Sequence, residues 1–236
     1  MSKAKGMIKT MKEIKRVVSI GAHSLDAEIL GGPIMLKYAA QGAHCTYIHV
    51  TQGRLEDPNA TEEAKSEYLQ QLLEQNKRAA NKLGGDTIWL GYVSSNMPSL
   101  DEFSSRLEQY FMDEKVDLVI THWRGSMHPR HINTHDAVTT AVKNLHRKGS
   151  NIRLVYGENF EDLVGFIPQA YFKLEQHEVK QWFSGLEEYS VFRGEINDFP
   201  YKDYYSTIGK VRQIESNNDG FTVAYMYASL IENKLW

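Results

Sequence analysis

A single cysteine, Cys45, is all that 236 residues contain. An intramolecular disulfide is therefore impossible, and a reducing compartment, the cytoplasm, is the expected location. Charge of one sign is also scarce. Lys and Arg number 27 against 30 Asp and Glu, a formal net charge of -3. That balance excludes a broad basic surface for nucleic acid. Long hydrophobic runs are missing too. The apolar stretches are strand-sized, well short of the roughly 20 residues of a spanning helix, so no membrane segment is expected. The opening MSKAKGMIKTMKEIKR is basic without the apolar core of a signal peptide. No G-x-G-x-x-G pattern occurs, which argues against a dinucleotide-binding module. No repeat or low-complexity stretch interrupts the chain. What remains is globular composition, 42% hydrophobic and 24% charged, at a length ordinary for one α/β unit.

Short β-branched runs alternate with longer amphipathic ones. RVVSIGA (16–22), HCTYIHVT (44–51), DTIWLGY (86–92), DLVITHW (117–123) and IRLVYGEN (152–159) read as strands. Helical patterns fill 27–41, 61–83, 99–115 and 131–148. This alternation predicts a Rossmann-like three-layer α/β sandwich, a mostly parallel sheet with helices on both faces. Beyond about residue 160 the rhythm changes. QAYFKLEQ (169–176) reads as a strand, with helices over 178–189 and 201–216. This tail is expected to cap one end of the sheet as part of the same domain. Gly31 and Gly32 read as close helix–sheet packing.

In open α/β sheets, ligands gather outside the carboxyl ends of the strands. The residues there are AHSLDAE (22–28) after the first strand and RGSMHPRHINTHD (124–136) after the fourth. Both are rich in histidine and carboxylate. His23 and Asp26 share a strand-to-helix turn, and imidazole and carboxylate are suitable zinc donors. His128 and His131 bracket a helix start, with Pro129 between them suited to the first turn. His135 follows His131 by four residues, so the two share a helix face. Two histidines and one carboxylate would leave coordination positions open, as catalytic zinc sites do. Taken singly, each has a plainer reading. Asp26 is also a fitting helix cap, and His131 with His135 a solvated helix face.

VVSIGAHSLDAEILGGPIMLKYAAQGAHCTYIHVTQG (17–53) resembles the opening of the LmbE/PIG-L family of zinc-dependent N-deacetylases, with its A-H-P-D-D-x-E motif. THWRGSMHPRHINTHDAV (121–138) resembles the family's second motif, H-P-D-H at a helix start. YGENFEDLVGFIPQAYF (156–172) and FRGEINDFPYKDYY (192–205) are similar to segments of some bacterial members. The resemblance implies Zn2+ held by His23, Asp26 and His131. It gives His128 the oxyanion and a proton to handle. It also implies a small N-acetylated sugar as substrate, and assembly into a symmetric homo-oligomer is common in the family.

Three positions depart from the pattern. Leu25 stands where the family has the aspartate that acts as general base. Arg130 replaces the aspartate before the last ligand, and Ser24 the usual proline. A positioned general base contributes about a hundredfold to ten-thousandfold, so a slow or inactive metal- and sugar-binding relative is the competing expectation. Glu28, Asp136 and Glu56 are the candidate substitutes for the base, and Arg124 a candidate for binding substrate. A cation at 130 is expected to depress the pKa of His128 if the two lie close.

Overall fold

The computed structural model describes residues 13–55, 57 and 59–229. The elements run β1 (Arg16–Gly21), α1 (Asp26–Ala40), β2 (His44–Thr51), α2 (Glu62–Lys82), β3 (Asp86–Tyr92), α3 (Leu100–Asp113) and β4 (Leu118–Thr121). There follow α4 (Pro129–Arg147), β5 (Arg153–Gly157), β6 (Ala170–Lys173), α5 (Gln176–Leu186), α6 (Tyr201–Ser216) and β7 (Thr222–Tyr227).

The strands form one sheet in the order β3-β2-β1-β4-β5-β7-β6. The first five are parallel, and β7 runs antiparallel to both β5 and β6. Side chains alternate between two cores, as a two-sided sheet requires. Val17, Leu118 and Ile120 face α1, α2, α5 and α6, whereas Val18, Ile20 and Val119 face α3 and α4. The three-layer α/β sandwich read from the sequence is therefore the fold, with an antiparallel edge. Among the described residues, no helix is long and apolar enough to cross a membrane.

Helix ends follow local chemistry. Ser99 caps α3 in a reciprocal capping box with Glu102. The Thr61 side chain accepts from the Ala64 amide at the start of α2. Helix α4 begins two residues earlier than the apolar pattern predicts, because Pro129 occupies its first turn behind His128 as cap. Strand β7 was not foreseen. It lies behind α6 and a left-handed Asn217, and it pairs only with strands far from it in sequence.

Helix α1 lies directly on β1. A methyl group at Gly31 would stand 2.4 Å from the Ser19 side chain, and Ser19 Oγ donates to the Ala27 carbonyl at 2.7 Å. Gly31→Ala is expected to cost about 1–3 kcal/mol from overpacking, offset by less than about 1 kcal/mol of helix propensity. Urea denaturation of the two proteins measures the difference.

Candidate metal centre

Strand order reverses between β1 and β4, and the loops after those strands open a crevice at the carboxyl edge. The turn after β1 carries His23. Leu25, not Asp26, is the cap residue of α1, and it has φ 85°. Asp26 opens the helix. Its Oδ2 accepts the His23 amide at 2.9 Å and lies 3.1 Å from His23 Nδ1. His131 comes from the first turn of α4, and its Nε2 stands 3.4 Å from the same oxygen. The turn after β1 and the helix after β4 thus meet at Asp26. The His128 ring lies 4.6 Å from that of His23 and 4.7 Å from that of His131, centroid to centroid.

A third loop, after β5, closes the site from the other side. Asp162 is fully buried. Its Oδ2 accepts from His122 Nδ1 at 2.7 Å and its Oδ1 from His131 Nδ1 at 2.8 Å. Both imidazoles therefore carry their proton on Nδ1 and turn Nε2 inward. His122 Nε2 accepts the Ala22 amide at 3.0 Å, so its lone pair is already used. His131 Nε2 is buried and has no hydrogen-bond partner. Asn159, also buried, donates from Nδ2 to Asp26 Oδ1 at 3.4 Å and accepts the Glu161 amide on Oδ1 at 3.1 Å. Glu161 Oε2 lies 3.7 Å from His131 Nε2. Two backbone segments come together here. The Val164 amide donates to Gly125, Trp123 Nε1 donates to the Val164 carbonyl, and a Cβ at Gly125 would overlap that carbonyl at 1.7 Å.

These residues fit a divalent cation. A buried imidazole lone pair faces a buried carboxylate with no donor between them. The separations of 3.1 and 3.4 Å about Asp26 Oδ2 match the edge of a tetrahedron with bonds of about 2.0–2.1 Å. The carboxylate behind His131 is the partner that ligand histidines ordinarily have. His23, His128 and His131 also form a group whose donor atoms converge. In the other converging group, Asp26, His122 and His131, His122 Nε2 already accepts the Ala22 amide.

Electrostatics follow from this packing. Burial alone would raise the pKa of Asp26, but His131 and His122 hold it well below the usual range. Burial alone would lower that of His131, but Asp26 and the hydrogen bond to Asp162 raise it to about 10. Asp162 is likewise held down to about 2 by His122 and His131 against the opposing effect of burial. His128 falls to about 4, as expected, but for a different reason. Burial is the largest cause, followed by His23 and His131; Arg130 is not among the main causes. What Arg130 supplies is its backbone amide, which donates to His128 Nδ1 at 3.3 Å. That leaves the proton of a neutral His128 on Nε2. Burial, and next the neighbouring Asp26, raise the pKa of Glu161.

The remaining candidates lie as follows. Glu28 is fully buried 3.3 Å from His49 Nε2, and His49 Nδ1 in turn faces the His23 carbonyl at 3.4 Å. Arg124 and Asp136 are forked to each other at 2.9 and 3.3 Å. His135 Nδ1 bonds the His122 carbonyl at 3.0 Å, so it braces the loop rather than facing solvent. Glu56 lies outside the described residues. Sequence reasoning missed His122, Asn159, Glu161 and Asp162. GEN was read as the end of a strand, although β5 stops at Gly157. With the strand ended there, E-N-F-E-D falls at the carboxyl edge, where the fold directs attention.

A family profile described as PIG-L: GlcNAc-PI de-N-acetylase matches residues 18–142. Among curated proteins none matches the chain. Solved structures share the fold. A zinc-inhibited form of teicoplanin deacetylase superposes with a TM-score of 0.70 at 16% identity, covering 91% of this chain and 99% of that one. N,N'-diacetylchitobiose deacetylase from Pyrococcus horikoshii gives 0.71 at 16% identity, over 93% and 85%. A 4-carboxy-2-hydroxymuconate hydratase from Pseudomonas putida gives 0.74 at 13% identity, over 93% and 99%.

Without a cation, a proton on His131 balances the Asp26 and Asp162 carboxylates beside it. Because its pKa is raised from 6.5 to about 10, its contribution to stability is complete below pH 6.5 and is lost as pH rises toward 10. The Asp162 contribution is complete above about pH 4 and is lost as pH falls toward 2. Thermal melts in chelator are therefore expected to show Tm falling between pH 6.5 and 10, and His131→Gln is expected to flatten that fall.

Proposed function

Because the chain belongs to the PIG-L: GlcNAc-PI de-N-acetylase family, we propose that it is a zinc-dependent hydrolase removing an acetyl group from an N-acetylated amino sugar or its conjugate. The observation that carries this reading is the unpartnered Nε2 of His131, buried beside the Asp26 carboxylate. His23, Asp26 and His131 would hold the metal. When bound, zinc supplies a Lewis acid for the acyl carbonyl and a water made acidic enough to react near neutral pH.

The chain's own residues supply the rest. Asp162 fixes the His131 ring so that its lone pair points inward. His128, held as a neutral imidazole with its proton on Nε2, can donate a hydrogen bond to the oxygen of the tetrahedral species. The Arg130 amide holds that tautomer, a task the backbone performs whatever the side chain. Arg124, on the loop before α4, would reach a substrate only by leaving Asp136.

Leu25 favours a second reading, a relative that binds metal and sugar without turnover. It is buried in the apolar core beneath the site and can accept no proton.

The zinc-loaded protein is expected to release acetate from N,N'-diacetylchitobiose or N-acetylglucosamine conjugates. Chelator should abolish release and added zinc restore it. His131→Ala should lose both zinc binding, measured by calorimetry, and turnover. His128→Ala should keep zinc and lose about a hundredfold to ten-thousandfold in kcat. Zinc binding without acetate release would favour the second reading, and failure to bind zinc would refute both.

A further inference from the structure

The site has no carboxylate at position 25, yet three carboxylates lie within 4 Å of the His131 ring. Asp26 accepts from the His23 amide and from Asn159. Asp162 has both oxygens engaged by histidines and no exposed surface. Glu161 differs from both. Its carboxylate accepts no hydrogen bond among the described residues, and its side chain is 37% exposed, open to solvent on one side and to the site on the other. Its backbone is nevertheless anchored. Asn159 grips the Glu161 amide with one end of its side chain and Asp26 with the other. Of the carboxylates nearest in sequence to the motifs, Glu28 is fully buried 3.3 Å from His49 Nε2, out of reach of solvent, and Asp136 is forked to Arg124.

We propose that Glu161 is the general base of this site, supplying from the loop after β5 the carboxylate that Leu25 lacks. The proposal rests on the deacetylase reading. Glu161 takes one proton from water as the water oxygen bonds to the acyl carbon and the carbonyl electron pair moves onto oxygen. The C–N bond then breaks, and its electron pair leaves with nitrogen. The amine nitrogen takes that proton back from Glu161, while His128 Nε2–H donates a hydrogen bond to the oxyanion. The balance is one amide and one water consumed, one amine and one acetic acid formed. Such a base must be reachable by water and unencumbered by donors, and it must be held against the metal ligands without being one of them. Glu161 meets these conditions through a backbone bond and leaves its carboxylate free.

The test compares wild type, Glu161→Gln and Glu161→Asp as full-length, zinc-loaded protein, reading kcat for acetate release and zinc Kd by calorimetry. Glu161→Gln is expected to lower kcat by about a hundredfold or more with zinc Kd within threefold of wild type. Glu161→Asp, which retains a carboxylate, is expected to keep at least ten times the activity of the Gln variant. A thermal melt confirms that each variant is folded. Unchanged kcat in Glu161→Gln, equal activity in the two variants, or a tenfold weaker zinc Kd would overturn the assignment, the last by making Glu161 a ligand. Absence of turnover in wild type would instead remove the deacetylase reading and this proposal together.

Discussion

Asp162 is the group on which the rim of the sheet depends. A carboxylate with no access to water is costly unless donors surround it. Asp162 obtains two, from rings on separate elements: His122 just after β4 and His131 on α4. The two rings stack at 4.0 Å as a result. One carboxylate thus sets two tautomers. The inward nitrogen of His122 receives the Ala22 amide and docks the end of β1 against β4. The inward nitrogen of His131 is left open beside Asp26. The interaction that closes the fold at this edge also prepares the site.

Much of this was legible in the chain. Parallel strands buried on both faces give β-branched runs without alternation, and β1, β2 and β3 were placed to within a residue at each end. The two histidine-rich segments were found because the fold dictates where to look. The third segment was hidden by its neighbour. Glu158 and Asn159 continue the extended pattern of β5, so the sequence carries the strand through Asn159 and gives no sign that Glu161 and Asp162 lie at the carboxyl edge. Strand β7 escaped for another reason. Its pairing with β5 and β6 is entirely non-local, and no short-range periodicity announces a strand inserted between two others. Arg130 shows a further limit. Its position suggested a charge effect on His128, but burial and neighbouring rings dominate, and only the backbone of Arg130 reaches the imidazole.

Leu25 illustrates how a backbone can outlast a side chain. Its φ of 85° lies in a region that branched apolar residues seldom occupy and that Asp and Asn tolerate better. The turn keeps this shape because the residues on either side of it are anchored, His23 through Asp26 and the start of α1 through the Leu25 carbonyl. The strain is accepted locally and offset by burial of the leucine in the core. A fold shared by enzymes of unlike chemistry is held together by such anchors, while the reactive groups can change around them.

Gly125 has a mechanical consequence. Because its backbone touches that of Val164, the segment bearing His128 and the segment bearing Asp162 are riveted into one wall. Neither moves as an independent flap, since movement of one drags the other and with it the carboxylate that orients His131. Exposed Met127 and Val164 lie on these two segments, so the contour they present together is set by that one backbone contact.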